Sequence, residues 1–221
     1  MPAGPAASAP PGHAPISRRQ WVALAFSLAV FVATWIAPIW PVDQALHSSL
    51  TVVGFAWLVL HARRWPMRDG DFIAICLFIA VHCVAARWLY SNVPYDAWLQ
   101  SLLGWSPNAA FGWERNHFDR LIHLLYGLCF TPAVQHSLRQ RWPGMGMAAA
   151  FALAVMLVMC TSLVYEWAEW GIALTLSPEA AEAYNGQQGD AWDAHMDMLL
   201  ATVGALLTWP LLDRAATAAK P

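Results

Sequence analysis

The residues MAAAFALAVMLVMCTSLV, at positions 147–164, decide the fold of this chain. These 18 residues carry no charge, and a run of this length and composition is typical of a helix that crosses a membrane. The run leads directly into Tyr165-Glu166-Trp-Ala-Glu169-Trp170, so two carboxylates lie at the end of the predicted helix. Elsewhere the chain repeats this arrangement, with long apolar runs whose ends carry the ionisable residues.

The composition of the whole chain also indicates a membrane protein. Of its 221 residues, 58% are hydrophobic and only 12% are charged, whereas a soluble domain carries about 25% charged residues. Many of its 14 Trp residues lie near the ends of apolar runs, as in the aromatic belts at membrane surfaces. The net charge of −2 provides no basic surface, so no nucleic-acid partner is expected.

The apolar runs predict an all-α, polytopic membrane protein with about six transmembrane helices. The predicted spans cover residues 20–40, 45–62, 71–90, 118–137, 146–170 and 192–212. They form a single transmembrane domain, 18–214. A Pro-rich tail, 1–17, precedes it and is predicted to be disordered; a short tail, 215–221, follows it.

The basic residues predict the orientation of the spans. Nine of the 12 Lys and Arg residues fall on one side: Arg18, Arg19, Arg63, Arg64, Arg68, Arg139, Arg141, Arg214 and Lys220. By the positive-inside rule this side is cytoplasmic, so both termini are predicted to be cytoplasmic. The two long loops on the opposite side, 91–117 and 171–191, are each predicted to contain a short helix.

In this orientation the ionisable residues of the spans gather near the outer face. They are Asp43, His47, His82, Arg87, Asp119, Arg120, His123, Glu166, Glu169, Asp193 and Asp197. Each ionisable group in an apolar segment costs roughly 2.5–3.5 kcal/mol on insertion scales, so such residues are candidates for a functional site. Because only 15 residues, about 22 Å of helix, separate Asp197 from the predicted end of its span, the Asp197 turn should lie inside the hydrocarbon layer, which is about 30 Å thick.

Helical spacing predicts that these side chains share faces. The sets with i,i+3 or i,i+4 spacing are Asp119 with His123, Glu166 with Glu169, and Asp190 with Asp193 and Asp197. Residues at these spacings lie on one helix face, so each set can point into a common cavity. Gly127, Gly171 and Gly204 are predicted to permit close helix contact.

The chemistry of this set favours a site for a divalent metal. Six carboxylates, those of the three sets, face only Arg87 and Arg120 as cations, so some must hold protons or a cation must lie among them. Carboxylates with a histidine suit Zn, Mn or Fe. The candidate metal ligands are His123, Glu166, Glu169, Asp193 and Asp197, and the candidate catalytic residues are Asp119, Arg120, Glu166 and Asp193.

Three functions fit this cluster. A metal-dependent hydrolase or lipid-modifying enzyme would activate water against an ester or phosphoester of an outer-leaflet lipid. A cation-coupled transporter would use the same carboxylates, but it also needs a polar path through the inner halves of the last three spans, which are nearly all apolar. A non-enzymatic assembly protein would use the cluster to fix helix packing.

Three motifs give the chain a resemblance to the YjdF-like family of bacterial inner-membrane proteins, over about residues 20–212. The motifs are His117-x-Asp119-Arg120-x-x-His123-x-x-Tyr126-Gly127, Tyr165-Glu166-x-x-Glu169, and Tyr184-x-Gly186-x-Gln188-Gly189-Asp190-x-Trp192-Asp193-x-x-x-Asp197-Met198. The resemblance implies a multi-pass protein of the bacterial inner membrane and no established activity. A fainter similarity to VanZ-like proteins covers the last two spans, where Ala201 stands in place of the usual Asn.

Overall fold

The computed structural model describes residues 15–209, and every regular element in that part of the chain is a helix. The helices are α1 (Arg18–Thr34), α2 (Pro41–Arg64), α3 (Asp69–Arg87), α4 (Tyr95–Leu103), α5 (Pro107–Phe111), α6 (Phe118–Arg141), α7 (Met147–Ala173), α8 (Pro178–Asn185) and α9 (Asp193–Leu207). The predicted all-α class is confirmed. The predicted C-terminal tail, most of the N-terminal tail and the last residues of the sixth span lie outside the described residues.

Six of the helices correspond to the predicted spans, and the first of them ends earlier than predicted. A capping box fixes the start of α1, because the Ser17 hydroxyl accepts from the Gln20 amide and the Gln20 side chain accepts from Ser17 N–H. The helix ends at Thr34 rather than at residue 40. Pro38 explains the difference, since a proline disfavours helical geometry in the residue before it and cannot donate a helical hydrogen bond.

Helix α6 lies at the centre of the fold. It packs most extensively on α9 and also contacts α7 and α3, while α3 in turn packs on α1 and α2. Two apolar clusters reflect this division, one built on Phe72 and Ile75 of α3 and the other on Val158 and Ala201. The fold therefore consists of an α1–α3 group and an α6, α7 and α9 group, joined through α3 and α6.

Two glycines bring α6 and α9 into backbone contact. A Cβ atom on Gly127 would lie 2.0 Å from the Ala201 carbonyl oxygen, and one on Gly204 would lie 2.1 Å from the Leu124 carbonyl oxygen. Only glycine permits such an approach, which is the usual way for membrane helices to pack closely. The same prediction is wrong for Gly171, where an added Cβ would have no neighbour within 4 Å among the described residues.

The surface of the helices is apolar, as expected for contact with lipid. Among the described residues, three helices are long and apolar enough to cross a membrane: α2, α3 and α7. Exposed residues of α2 and α7 are mostly large and apolar, whereas Gln44, Gln135 and Thr131 lie buried between helices. This is an all-α membrane protein, and the total of six spans stays a prediction.

The two long loops, 91–117 and 171–191, carry the three short helices. Helix α4 lies in the 91–117 loop, where Asp96 accepts hydrogen bonds from the Ser106 hydroxyl and the Asn108 amide and so ties α4 to α5. Helix α8 begins after Ser177, whose hydroxyl accepts from the Ala180 amide. The predicted short helices in both loops are confirmed.

Candidate functional site

The start of α6, the end of α7 and the start of α9 bring the predicted site residues into two overlapping groups. Each residue of a group offers a donor atom that lies within 4.8 Å of the donor atoms of the other two. The inner group is His123, Glu166 and Asp197, and the outer group is Asp119, Asp193 and Asp197. Asp197 belongs to both groups, so its carboxylate joins them.

Helix geometry explains why these residues meet. Asp119 and His123 are one turn apart on α6, and Asp193 and Asp197 are one turn apart on α9. Gly127 of α6 and Gly204 of α9 let the two helices come into contact. The helix faces that carry the two pairs therefore lie opposite each other. Helix α7 contacts both helices and contributes Glu166, the third donor of the inner group.

Two arginines pair with Asp119 and Asp193 of the outer group and with Asp190 of the loop before α9. Arg115 Nη2 lies 2.8 Å from Asp119 Oδ2 and 2.8 Å from Asp193 Oδ1. Arg115 Nη1 lies 3.2 Å and Arg120 Nη2 lies 2.5 Å from Asp190 Oδ2. The arginines therefore link α6, α9 and the loop before α9.

The loop residues of this network are held in their ordinary charge states. The hydrogen bond from the Trp192 amide, with the nearby charges of Arg120 and Arg115, lowers the pKa of Asp190 and favours the carboxylate. Burial, followed by the charges of Arg120 and Arg115, lowers the pKa of His117. Arg120 Nη1 donates to His117 Nδ1 at 3.3 Å, which requires a neutral imidazole.

One predicted member of the charge cluster lies elsewhere. Arg87 donates to the carbonyl oxygens of Thr34, Ile36 and Ala37, where it satisfies acceptors at the end of α1. The expectation that it faces the carboxylates is wrong, and Arg115 takes that position. The available signal was that Arg115 precedes Asp119 by four residues and belongs to the few basic residues predicted on the outer side.

The inner group contains two carboxylate oxygens that lack both a hydrogen bond and an arginine among the described residues. Glu166 and Asp197 are only 9% and 5% exposed, and neither Glu166 Oε1 nor Asp197 Oδ1 has a hydrogen-bond partner among the described residues. His123 Nε2 lies 3.8 Å from Asp197 Oδ2. Burying such atoms unpaired is costly, so this arrangement calls for a proton or a bound cation.

Glu169 lies outside both donor groups. Its side chain is half-buried, next to Glu166 and the Tyr165 hydroxyl, and it does not join the donor atoms of His123 and Asp197. The other predicted histidine, His82, accepts or donates a 2.8 Å hydrogen bond at Nδ1 with the Tyr90 hydroxyl. The structure thus brings together most of the predicted site residues and leaves these two beside it.

An apolar cavity of about 220 Å³ adjoins the inner group. Its walls come from α2, α3, α6 and α7, and His123 and Tyr165 line the end nearest the carboxylates. Two buried hydroxyls in its wall, those of Thr51 and Ser162, have no hydrogen-bond partner among the described residues. The cavity and the inner group therefore share His123.

Comparison with known proteins places this site in a family. The family model described as "Predicted membrane protein (DUF2238)" matches residues 19–217. The chain is also 29% identical over 181 residues to "Inner membrane protein YjdF" of Escherichia coli strain K12, covering 82% of this chain and 78% of that protein. No solved structure matches the chain. These matches confirm the YjdF-like resemblance and support an inner-membrane location, and this chain belongs to the predicted membrane protein family DUF2238.

Proposed function

We propose that this protein is a membrane-embedded, metal-dependent hydrolase or lipid-modifying enzyme, with one divalent cation bound by the inner group. The observation that carries the proposal is the convergence of His123, Glu166 and Asp197 within 4.8 Å, with two carboxylate oxygens that lack partners. Buried acidic groups without counter-charges are functional candidates in membrane proteins.

The three donors suit Zn, Mn or Fe. Metal–ligand distances of about 2.0–2.2 Å separate neighbouring tetrahedral ligands by roughly 3.4 Å, which small side-chain movements can reach from the observed spacing. One imidazole nitrogen with two carboxylates is a common donor set for these metals. Three protein ligands also leave a coordination position open for water or substrate, as in catalytic zinc sites.

The outer group supplies the remaining parts of an active site. A divalent ion at the inner group would lower the pKa of a bound water and so provide a nucleophile. Arg120 Nε is buried without a hydrogen-bond partner among the described residues, so this guanidinium can donate to a phosphoryl or carbonyl oxygen of a substrate. Asp119 and Asp193, held by Arg115, orient the guanidiniums and can accept a proton.

Metal analysis of the purified protein tests the proposal. We expect about one Zn, Mn or Fe per chain by plasma mass spectrometry, and loss of that metal in a Glu166→Gln plus Asp197→Asn variant. Glu179→Gln, an exposed carboxylate of α8, is the matched control and should retain the metal. A wild-type protein without bound metal after reconstitution, or a double variant that retains it, would exclude this function.

The ion pairs of the outer group favour one alternative, a non-enzymatic assembly protein. Arg115 joins α6 to α9 through Asp119 and Asp193, and such a network can serve helix packing alone. In that case neutralising Asp119 or Asp193 would lower the melting temperature in detergent. A neutralisation that left the stability intact but abolished a phenotype would contradict this alternative. A cation-coupled transporter stays a prediction and would require flux into vesicles that depends on Asp197.

A further inference from the structure

The cavity beside the inner group extends from the polar site toward the middle of the helices. On α6 its wall runs from His123 to Phe130, which is seven residues or about 10 Å of helix. The lining is almost entirely apolar and includes Ile75, Phe78 and Ile79 of α3. At about 220 Å³ it exceeds the roughly 150 Å³ of an apolar cavity that holds a benzene ring.

The mouth of the cavity lies on the surface of two helices that are long and apolar enough to cross a membrane. Leu50 and Trp57 of α2, 53% and 44% exposed, and the exposed Thr161 of α7 lie at this edge. In a bilayer that surface faces lipid tails rather than water. An occupant therefore enters sideways from the hydrocarbon layer.

Two unpaired hydroxyls belong to residues of the cavity wall and can serve a polar group of the occupant. Serine and threonine in membrane helices commonly donate to the carbonyl one turn earlier, as Thr161 does to Leu157 at 2.7 Å. Thr51 and Ser162, which are buried in the cavity wall, make no such bond. In this structure both hydroxyl oxygens are enclosed by protein, so each must turn toward the cavity before an ester oxygen can accept from it.

We propose that this cavity binds one ester-linked acyl chain of a membrane lipid, which enters between α2 and α7 with its ester group near His123. The inference rests on the proposed function and names its substrate class. The part of an acyl chain next to the ester fits the apolar length of the cavity, and the ester can accept from Thr51 or Ser162. In this position the ester of the bound chain, or the next ester of the same lipid, lies beside the donor atoms of the inner group.

Photolabelling of the full-length protein tests the proposal. The protein is reconstituted in vesicles of phosphatidylethanolamine and phosphatidylglycerol that contain a trace of phospholipid with a diazirine in one acyl chain. Mass spectrometry should locate the label on cavity residues of α2 and α7. Gly54 lines the cavity, and a Cβ added there has no neighbour within 4 Å. Gly54→Phe should therefore lower cavity labelling about tenfold, equivalent to about 1.4 kcal/mol of binding.

A matched glycine provides the control. Gly171 lies on the surface of α7 with equally open space, so Gly171→Phe should leave cavity labelling unchanged. Labelling spread evenly over the helix surfaces, or an equal loss in both variants, would overturn the proposal. Cross-linking of two copies of the chain at the mouth of the cavity, with no lipid label there, would also overturn the proposal. If Gly54→Phe does not fold, Thr161→Phe at the mouth carries the same expectation.

The hydroxyls and the metal allow two further distinctions. Thr51→Val with Ser162→Ala should weaken labelling by an ester-linked probe and leave labelling by its ether-linked analogue unchanged; equal effects on both probes would overturn the role of the ester. Metal content measured in the same preparations separates this inference from the proposed function. Cavity labelling in a protein that binds no metal would contradict the proposed function alone, whereas bound metal without cavity labelling would contradict this inference alone.

Discussion

Asp197 is the residue on which the two donor groups depend. Its carboxylate lies within 4.8 Å of donor atoms of His123 and Glu166 on one side and of Asp119 and Asp193 on the other. Arginine pairs with Asp119 and Asp193 of the outer group, whereas in the inner group His123 is the only basic side chain among the residues described. The unbalanced charge is therefore concentrated at a single depth in the membrane part of the protein.

His117 should make the stability of the protein depend on pH. Burial and the charges of Arg120 and Arg115 lower its folded pKa, whereas in the unfolded chain the value is about 6.5. The unfolded chain therefore binds more protons below about pH 6.5, and the stability falls as the pH decreases through this range. We expect the melting temperature in detergent to drop between about pH 7.5 and about pH 5.5, and His117→Gln to remove part of that drop.

An exposed histidine serves as the control for this measurement. His195 lies at the surface of α9, against Trp192, so His195→Gln should retain the full pH dependence. If His117→Gln and the wild-type protein lose the same number of degrees on acidification, His117 is not the group that titrates.

Single residues also define how far the sequence could predict the site. The one-turn spacing of Asp119 and His123 was sufficient to place both on one face, because helix geometry alone determines it. The partners of Arg87 and Arg115 were not predictable in this way. Arg87 binds carbonyls at the end of α1, and that contact depends on where α1 stops and how it packs on α3.

At the scale of elements, the contact between α6 and α9 holds the site together. The two helices meet through Gly127 and Gly204, whose Cβ positions are occupied by backbone atoms of the opposite helix. Because no side chain separates the helices there, backbone contact fixes the separation of the two helix backbones that carry His123 and Asp197.

Enlarging either glycine should separate the helices. A side chain at Gly204 would overlap the Leu124 carbonyl, so we expect Gly204→Leu to destabilise the protein by more than about 3 kcal/mol. The readouts are the yield of monodisperse protein and its melting temperature in detergent. Gly171→Leu, at an open position of α7, should change neither. Similar melting temperatures for the two variants would show that the close contact does not contribute to stability.

The elements were predictable where local signals are strong. The uncharged run 147–164 predicted α7, and the predicted start of the fourth span agrees with the start of α6 at Phe118. The end of α1 was misplaced because the apolar residues continue to Trp40, although Pro38 precludes a regular helix there. Hydrophobicity identifies a segment that can lie in lipid, and proline determines where its helix must stop.

The whole molecule is asymmetric along the axis of its helices. The carboxylates, His123 and Arg115 lie at one end of the bundle, and Arg139 and Arg141 lie at the other end of α6. The positive-inside rule predicts that the arginine-rich end is cytoplasmic. The site would then face the outer leaflet, which supplies its lipid substrate in the proposed function.

Cysteine labelling in intact cells tests this orientation. After replacement of the four native cysteines, a membrane-impermeant maleimide should label Glu114→Cys in the 91–117 loop. It should label Gly144→Cys, in the exposed turn between α6 and α7, only after the membrane is permeabilised. The opposite pattern would place the site on the cytoplasmic side, and labelling of both positions in intact cells would contradict an intervening span.

The rigid joint between α6 and α9 has a consequence for α7. Since α6 and α9 are in backbone contact at their glycines, a movement of α7, which carries Glu166, is the helix movement that most directly widens the inner group. The same helix carries Thr161 and Ser162 of the cavity. A shift of α7 that widens the side entrance would also move Glu166 away from His123. Lipid entry into the cavity and cation binding at the inner group would then be coupled through the position of this one helix.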